Sequence, residues 1–188
     1  MLEIAKYECI YVTDKIFSSI TQVTNPQGIM AIIEKNDKNQ EIDYAQDIIV
    51  ALDDVQDPGN LGTILRTVDS IGLNQIIVSK GTADAFNGKV VRSTMGAIFR
   101  IRIIEVEDLK QTIKEMKKHH FKLMVTSLQT ENSIYDIDFN KKIIVIGNES
   151  NGVSQDIQDI ADEKAKIPMI GKTESLNASV AAGIVMYE

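Results

Sequence analysis

The chain has few residues that could form disulfides or metal sites. Its 188 residues include one cysteine, Cys9, and two adjacent histidines, His119 and His120. One cysteine cannot form an internal disulfide, and two neighbouring histidines cannot build a zinc site without further ligands. No segment resembles a signal peptide, and no apolar run is long enough to span a bilayer. These absences predict a soluble protein of the reducing cytoplasm that folds without metal.

Positive charge is also scarce. The net charge is −7 and the sequence pI is about 4.9. This balance argues against nonspecific nucleic-acid binding by this segment alone, because lysines and arginines supply most such affinity. The densest basic stretch contains Lys89, Arg92, Arg100 and Arg102, which alternate with apolar residues. Either these charges are solvated, or they form a local basic patch.

Apolar, β-rich segments alternate with helical patterns through most of the chain. The expected strands cover residues 29–33, 48–52, 75–78, 101–104, 121–126, 143–147 and 164–167, and the expected helices cover residues 61–71, 89–98, 106–118 and 154–161. This order predicts an α/β fold, with a mostly parallel sheet and helices on both faces. Ligands of such sheets bind beyond the carboxyl ends of the strands.

The two ends of the chain differ from this pattern. Residues 1–28 show weak helical spacing over 15–24 and a turn at 25–28, which predicts an N-terminal extension to a domain of residues 29–188. The helix expected over 177–187 is apolar or small in nearly every direction, which predicts burial on all sides. Glu188 follows at once, where the helix dipole prefers a cation, so we expect a truncated chain.

Three polar segments each follow a predicted strand. In the first, Asn60 comes after a Pro-Gly turn, where it could cap a helix or contact a ligand. Arg66 lies opposite the apolar stripe of that helix, so it is either solvated or functional. Covalent catalysis is not expected, because Cys9 lies outside the repeat and the histidines belong to a predicted helix C-terminus.

The second and third segments are rich in Gly, Asn and Ser. Glu149, between Gly147 and Gly152, argues against a phosphate-binding loop, and the dinucleotide fingerprint is absent. This segment is therefore a turn or a site that needs one carboxylate. In the third segment, Ser175 or Asn177 could cap the last helix, or a bound ligand could satisfy the backbone groups there.

Together these segments resemble the three motifs of the SpoU (TrmH-like) RNA ribose 2′-O-methyltransferases of the SPOUT superfamily. We refer to residues 57–67, 147–152 and 167–181 as the first, second and third motif segments. They read Asp57-Pro58-x-Asn60-x-Gly62-x-x-x-Arg66-Thr67, Gly147-x-Glu149-x-x-Gly152, and Ile167-Pro168-Met169-x-Gly171 followed by Ser175-Leu176-Asn177-x-Ser179-Val180-Ala181. The resemblance covers about residues 29–187.

The resemblance implies a homodimer with a SPOUT-type α/β knot, a deep C-terminal trefoil that binds S-adenosylmethionine without a metal. It implies methylation of a ribose 2′-hydroxyl, of ribosomal rather than transfer RNA. A transfer-RNA enzyme and a noncatalytic RNA-binding protein of the same fold are the alternatives. Residues 1–28 would be a linker or the remnant of an RNA-binding domain, and the last helix would pack in the knot and against the partner subunit.

The resemblance also implies the roles of individual residues. Arg66 becomes the catalytic candidate near the partner's cofactor pocket, where it would bind the RNA phosphate and stabilise the developing alkoxide. Asn60, Glu149, Ser175 and Asn177 would arrange the catalytic site. The cofactor would contact Thr126, Ser127, Leu128, Gly147, Asn148, Glu149, Ile167, Pro168, Met169, Ser175, Leu176 and Asn177.

Overall fold

The computed structural model describes residues 7–35, 41–173 and 175–188. The chain separates into two compact units, Met1–Lys38 and Asn39–Glu188. In the first unit, α1 covers Asp14–Ile20, shorter than expected, and the Thr13 side chain accepts a hydrogen bond from the backbone N–H of Ile16 at its N-terminus. None of the residues of α1 is buried.

The second unit contains six strands and five α-helices among its described residues. The strands are β1 (Ile48–Asp53), β2 (Gln75–Ser79), β3 (Arg102–Val106), β4 (Lys122–Thr126), β5 (Lys142–Gly147) and β6 (Glu163–Ala165). The helices are α2 (Pro58–Ser70), α3 (Gly88–Ser93), α4 (Leu109–Lys118), α5 (Gln155–Gln158) and α6 (Ala178–Tyr187). Short 3₁₀-helices cover Ala97–Phe99 and Ile134–Asp136.

The strands form one parallel sheet in the order β3-β2-β1-β5-β4-β6. The central strands β1 and β5 are almost wholly buried, which agrees with their continuous apolar sequences. Parallel pairing is possible because each connection between consecutive strands is long enough to return the chain to the same edge, with α2 between β1 and β2, α4 between β3 and β4, and a 15-residue connection with one 3₁₀ turn between β4 and β5. The predicted α/β fold is therefore confirmed.

The core lies on both faces of this sheet. Alternate residues of β1 point to opposite sides, so that Val50 and Leu52 pack with the apolar residues of α2 and α6. Ile49 and Ala51 pack with those of α4 and α5 on the other face. The expected two-sided covering of the sheet is thus present.

The strand expected at residues 29–33 does not form. These residues have no strand assignment, and Ile29 and Ile32 are 70% and 95% exposed. Strand propensity mainly reflects packing on a pleated surface, so a short apolar run without a partner strand stays irregular. The domain start at residue 29 stays a prediction.

The helix expected over residues 89–98 is divided in two. Met95 and Gly96 have φ angles of 50° and 87°, in the left-handed region, and they separate α3 from the 3₁₀-helix. The helix expected from residue 106 begins instead at Leu109, because Val106 still belongs to β3 and Asp108 accepts a hydrogen bond from the Gln111 N–H. The helix expected over 154–161 shortens to α5.

The prediction that the last helix is buried on all sides is wrong for the single chain. In α6 only Ala182, Val185 and Met186 are buried, while Val180 is 51% exposed. One face of α6 packs against α2, where the hydroxyls of Tyr187 and Ser70 lie 3.0 Å apart. The uniform apolar composition therefore gave no information on which face is covered. Of the described helices, none is long and apolar enough to cross a membrane.

Candidate active site at the carboxyl ends of the central strands

The site lies where β1 and β5 end side by side. Asp53, the last residue of β1, pairs in register with Gly147, the last residue of β5. From this pair the chain leads in opposite directions, since β1 continues to β2 on one side of the pair and β5 continues to β6 on the other. Such a reversal of strand order opens a crevice at the carboxyl edge of an α/β sheet.

The turn after β1 is organised by Asp57. Its side-chain Oδ1 accepts a 2.8 Å hydrogen bond from the backbone N–H of Asn60, and Pro58 occupies the first turn of α2. Asp57 is therefore the N-cap, and the interpretation of Asn60 as the cap is wrong. An Asp followed directly by Pro was the signal for this assignment in the sequence. The Asn60 side chain, which is buried, is free for other contacts.

Glu149 ties the second motif segment to the first. One carboxylate oxygen, Oε1, accepts hydrogen bonds from the Asp57 N–H (3.1 Å) and from Asn60 Nδ2 (2.9 Å), and Oε2 accepts one from the Gln56 N–H (3.1 Å). Partial burial raises the pKa of Glu149, but these hydrogen bonds outweigh it and the net pKa lies below its ordinary value. Glu149 therefore acts as an ionised acceptor.

Asn60 also joins the third motif segment. Its Oδ1 accepts a 2.9 Å hydrogen bond from Asn177 Nδ2. Asn177 in turn caps α6, because its Oδ1 accepts hydrogen bonds from the N–H groups of Ser179 and Val180. This confirms the capping interpretation for Asn177 and leaves Ser175 exposed. A continuous chain of hydrogen bonds, Glu149 to Asn60 to Asn177, thus connects all three motif segments.

The second motif segment closes on itself as a tight loop. Asn148 and Gly152 exchange backbone hydrogen bonds of 3.0 and 2.9 Å, and Asn148 Nδ2 donates to the Asp54 carbonyl at 2.8 Å. A Cβ on Gly147 would overlap the backbone of Gly152 and Val153. The loop therefore requires glycine at position 147, independently of any ligand.

Two further segments reach the same edge. Thr126 ends β4 in register with Ala165 of β6, and the Ser127 N–H donates a 3.0 Å hydrogen bond to the Ala165 carbonyl. Leu128 is 62% exposed and Leu176 is 37% exposed. The residues predicted to contact cofactor thus belong to loops that follow neighbouring strands β4, β5 and β6.

The start of the third motif segment has few internal contacts. Residues 167–173 and 175–176 make no hydrogen bond with any residue described in the structure. Ile167 packs partly against the core, Pro168 is exposed, and Met169 is half-buried. This stretch therefore presents backbone donors and acceptors beside apolar side chains.

Arg66 does not join this cluster in the single chain. It is exposed, as expected, and makes no ion pair with the described residues. Asn60 and Arg66 are six residues apart in α2, which places them about 9 Å apart along the axis and roughly 120° apart around it. The structure brings Asn60, Glu149 and Asn177 together and leaves Arg66 on a different face of α2.

The basic stretch identified in the sequence is divided by the fold. Arg102 begins β3 at the amino edge of the sheet, 3.7 Å from Asp43. Lys89 Nζ lies 3.8 Å from Asp57, and Arg100 pairs with Asp69 at 2.7 Å, both beside α2. The four cations are therefore not one patch, although three of them lie on the α2 side of the molecule.

The histidines lie away from this edge. His119 and His120 follow the C-terminus of α4, as expected. Both are exposed, and the His119 ring stacks on Tyr44 with centroids 3.7 Å apart. Within the described ranges, no group of three or more His, Cys, Asp or Glu side chains could hold a metal ion.

A parallel α/β sheet with a polar, carboxylate-containing cluster at its strand switch point defines a class of proteins that bind their ligand at that crevice. The profile of the SpoU rRNA Methylase family matches residues 47–187. The chain belongs to this family, and the resemblance drawn from the three motif segments is confirmed.

Individual relatives agree with this assignment. The chain is 35% identical, over 96% of its own length and 71% of the relative's, to the 23S rRNA (guanosine(2553)-2′-O)-methyltransferase RlmP of Bacillus subtilis. It is 39% identical to a putative TrmH family tRNA/rRNA methyltransferase of Staphylococcus epidermidis, covering 74% of this chain and 57% of that protein. The chain therefore spans little more than half of the latter.

The fold agrees with a solved structure as well. An AdoMet-bound rRNA methyltransferase from Sinorhizobium meliloti superposes with a TM-score of 0.79 at 31% identity, covering 94% of this chain and 69% of that one. That relative binds AdoMet, which is the cofactor expected from the motif segments.

Proposed function

We propose that the chain is an S-adenosylmethionine-dependent RNA methyltransferase that transfers a methyl group to a ribose 2′-hydroxyl. The observation that carries this proposal is the hydrogen-bond chain from Glu149 through Asn60 to Asn177, which joins all three motif segments at the strand switch point. Ribosomal RNA is the favoured substrate class, because the relative RlmP is named as a 23S rRNA methyltransferase.

The residues at the carboxyl edge fit an adenosyl group. A flat heteroaromatic ring needs an apolar slot and backbone donors and acceptors at its rim. Leu128 and Leu176 expose apolar surface there, and residues 167–173 have unpaired peptide groups among the described residues. We assign cofactor contacts to Thr126, Ser127, Gly147, Asn148, Pro168, Met169 and the other residues that the resemblance implied, with Leu176 as the apolar wall.

The bound cofactor would supply a methyl carbon that is already electrophilic. The protein's own task is then to align the ribose oxygen with that carbon and to favour loss of the hydroxyl proton. A guanidinium side chain is a hydrogen-bond donor and has no acceptor, so we assign Arg66 to phosphate binding and to stabilisation of the developing alkoxide rather than to proton abstraction. Asn60 and Glu149 hold the loops in place, and Ser175 and Asn177 line the cofactor side.

The position of Arg66 supports a dimeric site. It lies away from the cluster of its own chain, so it would complete the pocket of a partner subunit. The exposed apolar side chain of Val180 on α6 would then be covered by that partner. The trefoil knot, formed by the third motif segment passing through a loop, belongs to the same proposal, as does a cytoplasmic location. Residues 1–28 are proposed to be an extension related to RNA binding.

The first test is calorimetric titration of the purified chain with S-adenosylmethionine and S-adenosylhomocysteine, with ATP and NAD as comparators. Saturable binding of the two methionine-derived ligands alone is expected. Transfer of labelled methyl groups to unmodified 23S rRNA transcripts then tests the reaction, with mapping of alkali-resistant linkages to locate a 2′-O-methyl group. A folded chain that binds none of the ligands would contradict the proposal.

Arg66→Ala separates the catalytic role from cofactor binding. Removal of the guanidinium is expected to abolish methyl transfer. Affinity for S-adenosylmethionine should stay within a few-fold of wild type, because Arg66 lies on another face of α2 from the cofactor loops. Lys114→Ala, an exposed cation on α4, is the matched control. Full turnover by Arg66→Ala would contradict the assignment.

The same experiments distinguish two alternative functions. Methylation of transfer RNA but not ribosomal RNA would retain the chemistry and change the substrate. RNA binding without cofactor binding would indicate a noncatalytic protein of the same fold. The intact set of Arg66, Asn60, Glu149 and Asn177 supports the enzyme over the noncatalytic protein.

A further inference from the structure

One surface beside α2 combines positive charge with exposed apolar side chains. Gly62, Arg66 and Asp69 lie on one stripe of α2, because residues three and four apart share a helix face. A Cβ on Gly62 would lie 2.9 Å from the Val90 carbonyl of α3, so α3 packs directly on this stripe. Asp69 binds Arg100 at the other end of the stripe.

Arg66 therefore lies beside the segment between α3 and Arg100. Its neighbours on the same stripe contact the two ends of that segment, and Arg66 falls between them along the helix axis. In this segment Met95 is 71% exposed and Phe99 is 68% exposed. The left-handed φ angle of 50° at Met95 is unusual for a residue other than glycine and is maintained where the chain reverses after α3.

The charges on this surface suit a phosphate backbone. Arg92, near the end of α3, is exposed and forms no ion pair within the ranges that the structure describes. Arg66 shares this property, whereas Lys89 and Arg100 have aspartates nearby. Arg92 lies next to Met95, whose backbone N–H donates a 3.3 Å hydrogen bond to the Arg92 carbonyl. In a chain of net charge −7, two arginines without carboxylate partners among the described residues, one on α2 and one on the helix α3 that packs against it, are a local exception. Arginine favours phosphate because its planar fork can donate two hydrogen bonds.

We propose that Arg92, Met95 and Phe99 form a docking surface for an unpaired RNA strand. This strand would lie next to the nucleotide whose phosphate Arg66 binds. Arg92 would hold a backbone phosphate, and the Phe99 ring would stack on an exposed base with Met95 beside it. Positive charge beside exposed aromatic side chains is the combination that binds single strands, since stacking requires an unpaired base. This inference rests on the proposed function.

The test uses a fluorescent, unstructured RNA of about 12 nucleotides and the same strand annealed to its complement. Binding of the full chain is measured by anisotropy over a range of salt concentrations. Wild type is expected to prefer the single strand. Phe99→Ala should weaken single-strand binding roughly five-fold or more, with little change in salt dependence, since a stacked base contributes about 1–3 kcal/mol.

Arg92→Gln should behave differently from Phe99→Ala. It should reduce the slope of log K against log salt by about 0.7, the value for one phosphate contact on a single strand. Tyr135→Ala and Lys114→Gln are the matched controls, because both residues are exposed and lie outside the proposed surface. Titration with S-adenosylmethionine checks that each variant keeps its fold.

Three results would overturn the inference. These are equal affinity of wild type for single strand and duplex, wild-type RNA binding by both variants, and a change in sedimentation of Phe99→Ala with RNA affinity unaltered. The last result would show that a second copy of the chain covers this surface. Failure of wild type to bind S-adenosylmethionine would instead count against the proposed function, because strand binding needs no cofactor.

Discussion

The second motif segment and the start of the third differ sharply, although both lie at the carboxyl edge of the sheet. Residues 147–152 are held by their own backbone bridge, by Asn148 and by the Glu149 carboxylate. Residues 167–173 make no hydrogen bond with the described residues, and Ile170 is fully exposed. The second motif segment is therefore preorganised by the protein, whereas the start of the third has peptide groups available to bind a ligand. We expect the former to govern stability and the latter to govern cofactor affinity.

The sharpest test of this difference replaces one glycine by alanine in each segment. Gly147→Ala places a Cβ against the backbone of Gly152 and Val153, so we expect a loss of about 3 kcal/mol in the free energy of unfolding. The melting temperature should fall by roughly 6–12 °C. Gly171→Ala is the matched control, because a Cβ added at Gly171 would point into open space. Similar losses in both variants, by calorimetry, would remove the distinction.

The next largest effect is expected at Asn60. Asn60→Ala removes the donor to Glu149 and the acceptor from Asn177, which should cost about 2 kcal/mol in denaturant unfolding. Because Glu149 shares one of these contacts, the double variant Asn60→Ala/Glu149→Ala should lose about 1 kcal/mol less unfolding free energy than the two single variants lose in sum. Asn151→Ala, whose side chain makes no hydrogen bond with described residues, is the control. Strict additivity would indicate that the carboxylate and the amide are not coupled.

A smaller effect should appear as a pH dependence. The pKa of Glu149 is lowered in the folded chain, because hydrogen bonds to the carboxylate outweigh its desolvation. Its contribution to stability is therefore present above the unfolded pKa, ~4.3, and is lost as the pH falls through the lower folded value. Glu149→Gln should be less stable than wild type near neutral pH, and the difference should shrink in acid. A constant difference between pH 7 and the acid transition would contradict this linkage.

The smallest change in stability is expected in the third motif segment. Leu176→Arg should alter the free energy of unfolding by less than about 0.5 kcal/mol, because Leu176 is already 37% exposed. Affinity for S-adenosylmethionine should nevertheless fall roughly tenfold or more, a loss of about 1.4 kcal/mol of binding free energy. Ile170→Arg is the control for added charge. Wild-type cofactor affinity in Leu176→Arg would exclude it from the pocket wall.

Local patterns were reliable where the protein is regular. Continuous apolar runs predicted β1, β2 and β5 nearly to the residue, because buried parallel strands need apolar side chains on both faces. The run at residues 29–33 looked similar but had no partner strand. Likewise, apolar composition predicted that α6 would form and could not tell which of its faces the chain itself covers.

The candidate site was predictable in part. The three motif segments, their residues and the exposure of Arg66 could all be read from the sequence. The partners could not: Glu149 lies 89 positions from Asn60, and Asn60 lies 117 positions from Asn177. Asn60 was a plausible cap in isolation, and only the competing hydrogen bond of Asp57 shows that its side chain is free for another role.

The sequence by itself determined the alternation of strands and helices, the family, and the candidate site residues, because these depend on local periodicity and on short motifs. Only the tertiary structure decided that Glu149, Asn60 and Asn177 form one hydrogen-bond chain and that Arg66 stands apart from it on another face of α2. Such contacts depend on which strand ends become neighbours. That neighbourhood is set by the β1–β5 pairing across the sheet, which no local pattern specifies.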